Sequence, residues 1–422
     1  MNAPPAQAGL VAQVRVALAL LVLELAFGLV FAWGAASPFV SAQDHWPPLL
    51  LGLVYSAVPV GFGAGVVVAG RLADRHPPRR ICWLAVGVMA VGFAVAFVVP
   101  TGLTFVVFYS GIGLGVGAGL ALAGGVAAGV YVFPSRSGMV GGALTGVYAL
   151  AGLIHAPLIS QLSSRIGWLN AIRLVGTGLL VSAALAMLFM PGIPRPASIR
   201  TGWARPGVRA LAARPGVWTG FLVTALTVPV GAFAFVNLAI YTGFLAMPSW
   251  VGTLAILLLV LGNATGRLLG GTVADRVSPD LVLLATLLCA SGSAALLFRP
   301  FGIPGVLVAA GFGGLAFGAP AGVASRLASE AAPDAPNFAF GLLIAGYSTG
   351  SFIGPLLGAL VAGFPTVWLI LGGLPVLALL PLGYRTAVVR PMREHGLDAP
   401  EHTMLGSDRG PANNGTPPTT RL

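Results

Sequence analysis

Apolar runs of about twenty residues recur along the whole sequence, and this repetition restricts the folds open to the chain more than any other feature. A helix of about 20 mostly apolar residues crosses the roughly 30 Å hydrocarbon core of a membrane. Twelve segments meet that requirement, at residues 16–38, 49–70, 81–99, 103–130, 138–160, 169–190, 217–242, 250–271, 280–298, 303–324, 338–362 and 365–386. We therefore expect an all-α integral membrane protein with twelve transmembrane helices.

The composition excludes the main soluble classes. Of the residues, 57 % are hydrophobic and 8 % are charged, whereas a soluble domain carries about 25 % charged residues. Soluble enzymes, nucleic-acid-binding proteins and disordered chains are excluded on this ground, so we expect membrane lipids and not nucleic acid as partners. Both cysteines, Cys82 and Cys289, lie inside apolar runs, which favours buried thiols over a disulfide or a metal site. The first apolar run is too long for a signal peptide.

The basic residues predict how the chain lies in the membrane. All 22 are arginines, and with a cytoplasmic N-terminus eighteen of them fall on the cytoplasmic side, three fall outside and Arg267 lies within a span. The positive-inside rule then places both termini in the cytoplasm. The absence of lysine beside abundant Gly, Ala, Pro and Arg is typical of a GC-rich bacterial genome, so we expect the bacterial inner membrane.

An internal repeat divides the chain into halves. The segment GFGAGVVVAGRLADR, Gly61–Arg75, aligns with GNATGRLLGGTVADR, Gly262–Arg276, at an offset of 201 residues. Internal repeats of this kind are typical of secondary transporters. We predict two pseudo-symmetric six-helix bundles with a cytoplasmic linker between them and a cytoplasmic, disordered tail. In chain order, the first bundle, linker, second bundle and tail cover residues 1–190, 191–216, 217–386 and 387–422.

Several of these segments resemble a known family. The loop GRLADRHPPRR, Gly70–Arg80, resembles the signature between the second and third helices of the major facilitator superfamily. The segments FGLVFAWGAASP (27–38), VFPSRSGM (132–139) and GNATGRLLGGTVADR resemble the oxalate/formate antiporter and monocarboxylate transporter group within it. The resemblance implies the major facilitator fold, alternating access, and a helix 8 arginine that holds the substrate carboxylate, which here is Arg267. It also implies a motif that steadies one conformation of the cycle, formed by Gly70, Asp74, Arg75, Arg79 and Arg80, with Asp275 and Arg276 in the repeat.

Two positions depart from that group. Where oxalate exchangers carry a lysine in helix 11, this chain has Tyr347, so a second fixed cation for a dianion is missing. Where animal monocarboxylate carriers place an acid one turn before the helix 8 arginine, this chain has Asn263. An amide cannot take up a proton, so the coupling scheme of those carriers cannot be carried over.

Arg267 is the most informative residue on physical grounds alone. An arginine at membrane depth is costly unless it faces a cavity or a partner. Its guanidinium fork can bind one carboxylate bidentately, and Asn263, one helical turn before it, shares its face. Snorkelling to the cytoplasm or a structural ion pair is the alternative interpretation. The candidates that would enclose the rest of a substrate are Phe31, Trp33, Tyr148, Tyr347 and Ser348. Aromatic residues in such chains also simply pack or lie at the membrane interface.

Two further titratable residues lie within predicted spans. Glu24, in the first span, would carry a proton through the transport cycle, pair with Arg267 across the halves, form a structural salt bridge, or be a helix-end acid near the cytoplasm. His155, in the fifth span, would relay protons or pack as a neutral, hydrogen-bonded side chain between helices. The sequence leaves these alternatives open.

Together these features predict a secondary active transporter of a small organic anion, and of a monocarboxylate in particular. Proton symport is favoured slightly over exchange for a counter-anion, and we expect a monomer that needs no cofactor and no metal. An exporter of drugs or other metabolites on the same fold is the first alternative, and a non-transporting membrane sensor is the second. An enzyme is not expected, because the five histidines are scattered and form no catalytic cluster with acids.

Overall fold

The computed structural model describes residues 9–73, 75–193, 207–361 and 363–391. Within these ranges every regular element is a helix, and twelve helices are long and apolar enough to cross a membrane. We number them α1 (Leu10–Asp44), α2 (Leu49–Ala73), α3 (Pro78–Val98), α4 (Gly102–Val132), α5 (Pro134–Ile166), α6 (Trp168–Phe189), α7 (Pro215–Phe244), α8 (Trp250–Ala274), α9 (Pro279–Phe298), α10 (Gly302–Ala331), α11 (Pro336–Gly358) and α12 (Phe364–Val389). The predicted all-α architecture with twelve membrane helices is confirmed.

Several helices extend well beyond the apolar runs that predicted them. α1 has 35 residues and α5 has 33, more than the roughly 20 residues that a membrane span requires. The extra turns carry polar residues such as Gln43 and Asp44, which an apolar pattern cannot assign to the span. α1 also tightens to a 3-10 helix over Gly28–Ala32, and a short stretch of this kind in a long helix is often a hinge.

The predicted linker and tail fall partly outside the described residues. Residues 194–206 of the linker and 392–422 of the tail are not described. In the described part of the linker a short helix, Val208–Ala212, precedes α7. α12 continues to Val389, three residues past its predicted end at 386.

Equivalent positions in the two halves share a backbone conformation. His45 after α1 and Ala246 after α7, which are 201 residues apart in the sequence, both have left-handed backbone, with φ of 55° and 52°. Gly61 of α2 packs directly on the backbone of α4, and Gly262 of α8 packs in the same way on α10. Small residues let membrane helices approach closely, since lipid supplies no hydrophobic force between them. The sequence repeat is therefore also a repeat of helix packing.

Most arginines lie at one end of the bundle, which we call the arginine-rich end. It holds the last residues of α2, α4, α6, α8 and α10. Its described arginines are Arg15, Arg71, Arg75, Arg79, Arg80, Arg136, Arg209, Arg214, Arg276, Arg326, Arg385 and Arg390. The opposite end carries Arg165, Arg173 and Arg299. The assignment of the arginine-rich end to the cytoplasm stays a prediction.

Backbone contacts hold the two halves together at the arginine-rich end. Gly70, at the end of α2, packs against the carbonyl oxygen of Asn337 at the start of α11. Gly138 of α5 and Gly271 of α8 pack against each other's carbonyl oxygens, with no room for a side chain between them. The Oδ1 atom of Asp275 also accepts a hydrogen bond from the Gly138 N–H at 2.9 Å. The molecule is thus shut at this end.

The arginines of the signature motif between α2 and α3 lie at the surface of the arginine-rich end. Arg79 donates to a carbonyl oxygen in the last turn of α6 at 3.1 Å, and Arg15 donates to another there at 2.7 Å. The last carbonyls of a helix have no partner within it, so these arginines stabilise the end of α6. Arg75 and Arg80 are exposed, and Asp74 lies outside the described residues.

Candidate functional site

A cavity of about 60 Å³ lies between the two halves. A single water molecule needs about 10–15 Å³ measured in this way, so the space holds a few waters or one small organic molecule. Residues from α1, α2, α4, α5, α7, α8, α10 and α11 line it. Most of the wall is apolar and is formed by residues such as Val58, Phe62, Phe235, Phe317 and Ile344.

Arg267 is the one charged side chain on the described wall of this cavity. It is 3 % exposed, and its Nε atom donates to Asn263 Oδ1 at 2.9 Å. Its Nη2 atom donates to the Tyr347 hydroxyl at 2.7 Å, and its Cζ atom lies 5.3 Å from the centre of the Tyr347 ring. The guanidinium is therefore held on two sides, by its own helix and by α11 of the same half.

No carboxylate neutralises Arg267 within the described residues, where every ion pair involves other arginines. This arrangement departs from both alternative interpretations of the sequence. A snorkelling side chain would extend towards the arginine-rich end, and a structural ion pair would have an acid within 4 Å. Instead the guanidinium borders the cavity, and no hydrogen bond within the described residues engages its Nη1 atom. A bound anion could accept from that atom.

Glycines fix the backbone from which Arg267 projects. The Arg267 carbonyl oxygen packs against Gly322 of α10 on one side and Gly142 of α5 on the other, too closely for a Cβ atom on either glycine. Gly318 packs in the same way on the Asn263 carbonyl. Close packing of this kind leaves α8 little freedom to shift, so the guanidinium is positioned before any ligand arrives.

Hydroxyl groups are the other polar features of the cavity. Ser348 of α11 lines it, and its Oγ atom is buried without a hydrogen-bond partner. Tyr148 and Thr145 of α5 and Tyr55 of α2 also line it, but the Thr145 hydroxyl already donates to the Gly141 carbonyl at 2.7 Å. A buried polar atom without a partner is costly. The Ser348 hydroxyl is therefore a ready contact for a polar ligand.

Aromatic rings enclose the cavity on the side away from the arginine-rich end. The Phe31 ring of α1 lies 5.1 Å from Tyr148 and 5.9 Å from Phe235 of α7, measured between ring centres. The contact between Phe31 and Phe235 joins the two halves through side chains alone. The closure here thus differs from the backbone contacts at the arginine-rich end.

Glu24 does not pair with Arg267 in this conformation. It is 1 % exposed, and its Oε1 atom has no hydrogen-bond partner. That atom faces Gly125 of α4, where it lies 3.6 Å from the position that a Cβ atom would occupy. Glu24 is therefore inside the first half and not on the cavity wall, while Asn263 and Tyr347 hold Arg267 in the other half.

His155 and Trp33 also lie away from the cavity. His155 is buried in α5 with its Nδ1 atom unpartnered. Trp33 belongs to an aromatic cluster with Trp46, Phe105 and Trp168 towards the end opposite the arginine-rich end, and its Nε1 atom donates to a backbone carbonyl at 2.9 Å. Trp33 follows the cavity residues of α1 closely in the sequence but faces other aromatic side chains instead of the cavity. The sequence alone does not show which way such a side chain points.

Many residues of the cavity wall were not among the candidates from the sequence. Tyr55 and Thr145 are polar residues within apolar spans, and that signal could have identified them. Phe235 and Phe317 lie on the cavity wall, but nothing distinguishes them in the sequence from the other phenylalanines. No three His, Cys, Asp or Glu side chains are grouped to hold a metal ion in the part of the chain that the structure describes.

Comparison with known proteins identifies the family. The sequence model of the Major Facilitator Superfamily matches residues 18–303 and 245–409. Curated relatives include the enterobactin exporter EntS of Escherichia coli O1:K1 / APEC, 26 % identical over 258 residues that are 60 % of this chain and 62 % of the relative. The EntS of Shigella boydii serotype 4 is 25 % identical over 67 % of this chain and 69 % of the relative. The chain thus spans less than two thirds of the first of these relatives.

Solved structures share the fold. The Escherichia coli fucose:proton symporter FucP has a TM-score of 0.64 at 15 % identity, with 88 % of this chain and 99 % of that chain covered. The human organic anion transporter MFSD10 has a TM-score of 0.65 at 18 % identity, with 90 % and 100 % covered. The two curated relatives named above are enterobactin exporters and not enzymes, so the finer resemblance to the oxalate/formate and monocarboxylate group stays a prediction.

Proposed function

The chain belongs to the major facilitator superfamily, and on that premise we propose that it transports a small organic anion, and a monocarboxylate in particular, by alternating access. One observation supports this most directly. Arg267 is buried at a cavity between the halves, is oriented by Asn263 and Tyr347, and has no carboxylate partner within the described residues.

The physical argument concerns the charge of Arg267. A buried cation without a counter-ion loses its hydration and gains no ion pair in return, which costs several kcal/mol. An anionic ligand that enters the cavity supplies that ion pair, and charge-assisted hydrogen bonds to a guanidinium are about twice as strong as neutral ones. The free Nη1 atom and the Ser348 hydroxyl provide two donors for its oxygens.

The rest of the cavity favours a small ligand with a single negative charge. Phe62, Phe235 and Phe317 add apolar surface to the cavity wall, and a second carboxylate placed against them would lose its hydration without compensation. The volume of about 60 Å³ suits a short aliphatic chain. We therefore expect short monocarboxylates to be preferred over dicarboxylates.

The two halves meet through different kinds of contact on the two sides of the cavity, and this difference suits alternating access. At the arginine-rich end the halves meet through backbone atoms, as between Gly138 and Gly271. On the other side of the cavity Phe31 and Phe235 meet ring to ring, and rotation of two side chains would separate them. We infer that a substrate enters and leaves this conformation past Phe31 and Phe235.

Coupling to protons is part of the proposal. Glu24 is an acid buried in a membrane helix without a hydrogen-bond partner at Oε1, and such residues often carry protons in transporters. Glu24→Gln should abolish the stimulation of uptake by a pH gradient but keep the exchange of labelled for unlabelled substrate. If exchange for an internal anion drives transport instead, Glu24→Gln will leave concentrative uptake unchanged.

Uptake into proteoliposomes tests the site itself. Purified protein should accumulate labelled short monocarboxylates, and Arg267→Ala should abolish this uptake. Arg299→Ala removes an exposed arginine at the opposite end and serves as the matched control, with size-exclusion profiles used to establish that both variants are folded. Full uptake by folded Arg267→Ala protein would refute the carboxylate site.

A second candidate function is export of a larger metabolite or drug. It is favoured by the curated relatives, which are named enterobactin exporters, and by the aromatic part of the cavity wall. On this candidate Arg267 has a structural role, so Arg267→Ala would keep export of amphipathic compounds from inside-out vesicles. The two candidates therefore predict opposite outcomes for one variant.

A further inference from the structure

A second, strongly polar cavity of about 300 Å³ lies at the arginine-rich end. Its wall combines the loop between α8 and α9 with the last turns of α10 and of α12. Four arginines line it, namely Arg276, Arg326, Arg385 and Arg390. Three acids line it as well, namely Asp275, Asp280 and Glu330. The formal charge of these seven side chains is therefore +1.

The three carboxylates of this cavity are already engaged. Asp280 pairs with Arg385, which is buried, and Glu330 lies 3.1 Å from Arg326 and 3.8 Å from Arg385. The Asp275 carboxylate accepts backbone N–H groups of α5 at 2.9 and 2.8 Å. Each of the three thus already has partners other than Arg276.

Arg276 is a cation of this cavity that none of these carboxylates pairs with. It is exposed, lines the cavity and makes no ion pair with the described residues. α9 also begins in this cavity, with Ser278 capping its first turn through a hydrogen bond of 3.3 Å from the Asp280 N–H. The N-terminus of a helix carries partial positive charge, so it adds to the attraction for an anion.

We propose that this cavity binds a phosphate group, with Arg276 as its main contact. A guanidinium presents a planar fork of donors that matches phosphate oxygens, and arginine is the residue most often used for that purpose. The cavity lies where membrane-spanning helices end, and arginines near a membrane surface attract anionic lipids. The group belongs either to an anionic phospholipid or to a dissolved phosphate compound. This site lies apart from the Arg267 cavity and does not rest on the proposed transport function.

Thermal unfolding of the purified full chain in nanodiscs tests the proposal. One arm compares discs of phosphatidylcholine alone with discs that also contain phosphatidylglycerol. The other arm adds inorganic phosphate to phosphatidylcholine discs, with sodium chloride at the same ionic strength as the reference. Each arm is run on wild type, Arg276→Gln and Arg209→Gln, because Arg209 is exposed at the same end but outside the cavity.

We expect the midpoint temperature of wild type and of Arg209→Gln to rise in at least one arm. Arg276→Gln should need about fivefold more ligand for the same rise, which corresponds to about 1 kcal/mol for one arginine near the membrane surface. A response to phosphatidylglycerol alone identifies a lipid headgroup, and a response to inorganic phosphate identifies a dissolved ligand. The proposal is overturned if chloride acts equally well, if neither ligand stabilises wild type, or if Arg276→Gln responds like wild type.

Discussion

Asp275 ties the two halves together, and its removal should open the arginine-rich end. Its carboxylate follows the last turn of α8 and accepts the N–H groups of Gly138 and Met139, at 2.9 and 2.8 Å, in the first turns of α5. The first N–H groups of a helix have no partner within it, and a negative charge there interacts favourably with the helix dipole. Asp275→Asn keeps the shape of the side chain but leaves one oxygen where there were two, and it removes the charge.

The size of the effect follows from these contacts. A hydrogen bond to a charged group contributes about 1.5–3 kcal/mol, and a charge at a helix end adds about 0.3–1 kcal/mol. Asp275 is only partly buried, so we take the lower part of this range, about 2 kcal/mol. Since 1.4 kcal/mol is a factor of ten in an equilibrium constant, the open fraction should rise about 30-fold.

Alkylation of a cysteine placed in the closed seam measures that fraction. Ser137 is 4 % exposed, so a membrane-impermeant maleimide should reach Ser137→Cys only when the arginine-rich end opens. The background carries Cys82→Ala and Cys289→Ala, which remove the natural thiols. Asp275→Asn should raise the alkylation rate about 30-fold, because it loses one hydrogen bond and the charge at the helix end.

Asp334→Asn is the matched control for this measurement. Asp334 lies at the same end and loses the same charge on substitution, but its partner Arg214 belongs to the same half. Its substitution should therefore leave the alkylation rate unchanged. An unchanged rate in Asp275→Asn, or an equal increase in the control, would refute the assignment of Asp275 as the link between halves.

Three further predictions follow from the described contacts. Tyr347→Phe removes the hydroxyl that accepts from Arg267, and the KM of uptake should rise about five- to tenfold for a loss of about 1–1.5 kcal/mol. Gly271→Ala places a methyl group on a carbonyl oxygen of α5, so it should open the seam and speed alkylation of Ser137→Cys. The hydrogen bond from Arg214 holds the pKa of Asp334 below its ordinary value. This pair therefore stabilises the folded state above the unfolded pKa of about 3.9, and its contribution is lost as pH falls through the lowered pKa. Arg214→Gln should lower the midpoint temperature slightly at neutral pH, and the difference from wild type should vanish in acid.

Control variants separate these specific effects from a general loss of folding or stability. Gly178→Ala adds a methyl group where nothing lies within 4 Å, so it should leave the alkylation rate unchanged. Arg209→Gln removes an arginine of the same end that forms no ion pair with the residues the structure describes, so its midpoint temperature should follow wild type at every pH. A Tyr347→Phe protein with unchanged KM would show that Asn263 alone positions the guanidinium.

The membrane fold could be predicted from the sequence because each span carries its own signal. About twenty apolar residues identify a span wherever it packs, and the repeat at Gly61 and Gly262 identifies the symmetry. The helix ends were less predictable, since turns beyond the hydrocarbon are polar. The 3-10 segment of α1 has no such signal, because it depends on how α1 packs against α5.

The contacts of the candidate site were less predictable from the sequence than the membrane spans. Arg267 was conspicuous as a charge in an apolar run, and its hydrogen bond to Asn263 follows from their spacing of four residues on one helix. Glu24 was equally conspicuous, but a sequence gives the depth of a residue and not the helix that it faces. The direction in which Glu24 points depends on the packing of α1 on α4, so its separation from Arg267 is known only from the structure.

α8 carries both Arg267, which borders the cavity, and Asp275, which links the two halves, so ligand binding and opening of the arginine-rich end are coupled. Arg267 and Asp275 are eight residues apart, about 12 Å along one helix, and the seam of α8 with α5 runs between them through Gly142, Gly138 and Gly271. A ligand that shifts α8 against α5 must therefore act on the Asp275 contacts. Coupling of this kind is reciprocal. If a substrate speeds alkylation of Ser137→Cys by some factor, then Asp275→Asn should raise the affinity for that substrate by at most the same factor. A substrate that opens the seam in wild type but binds Asp275→Asn with lower affinity, or with an affinity raised beyond that factor, would show that the two ends communicate by a route other than α8.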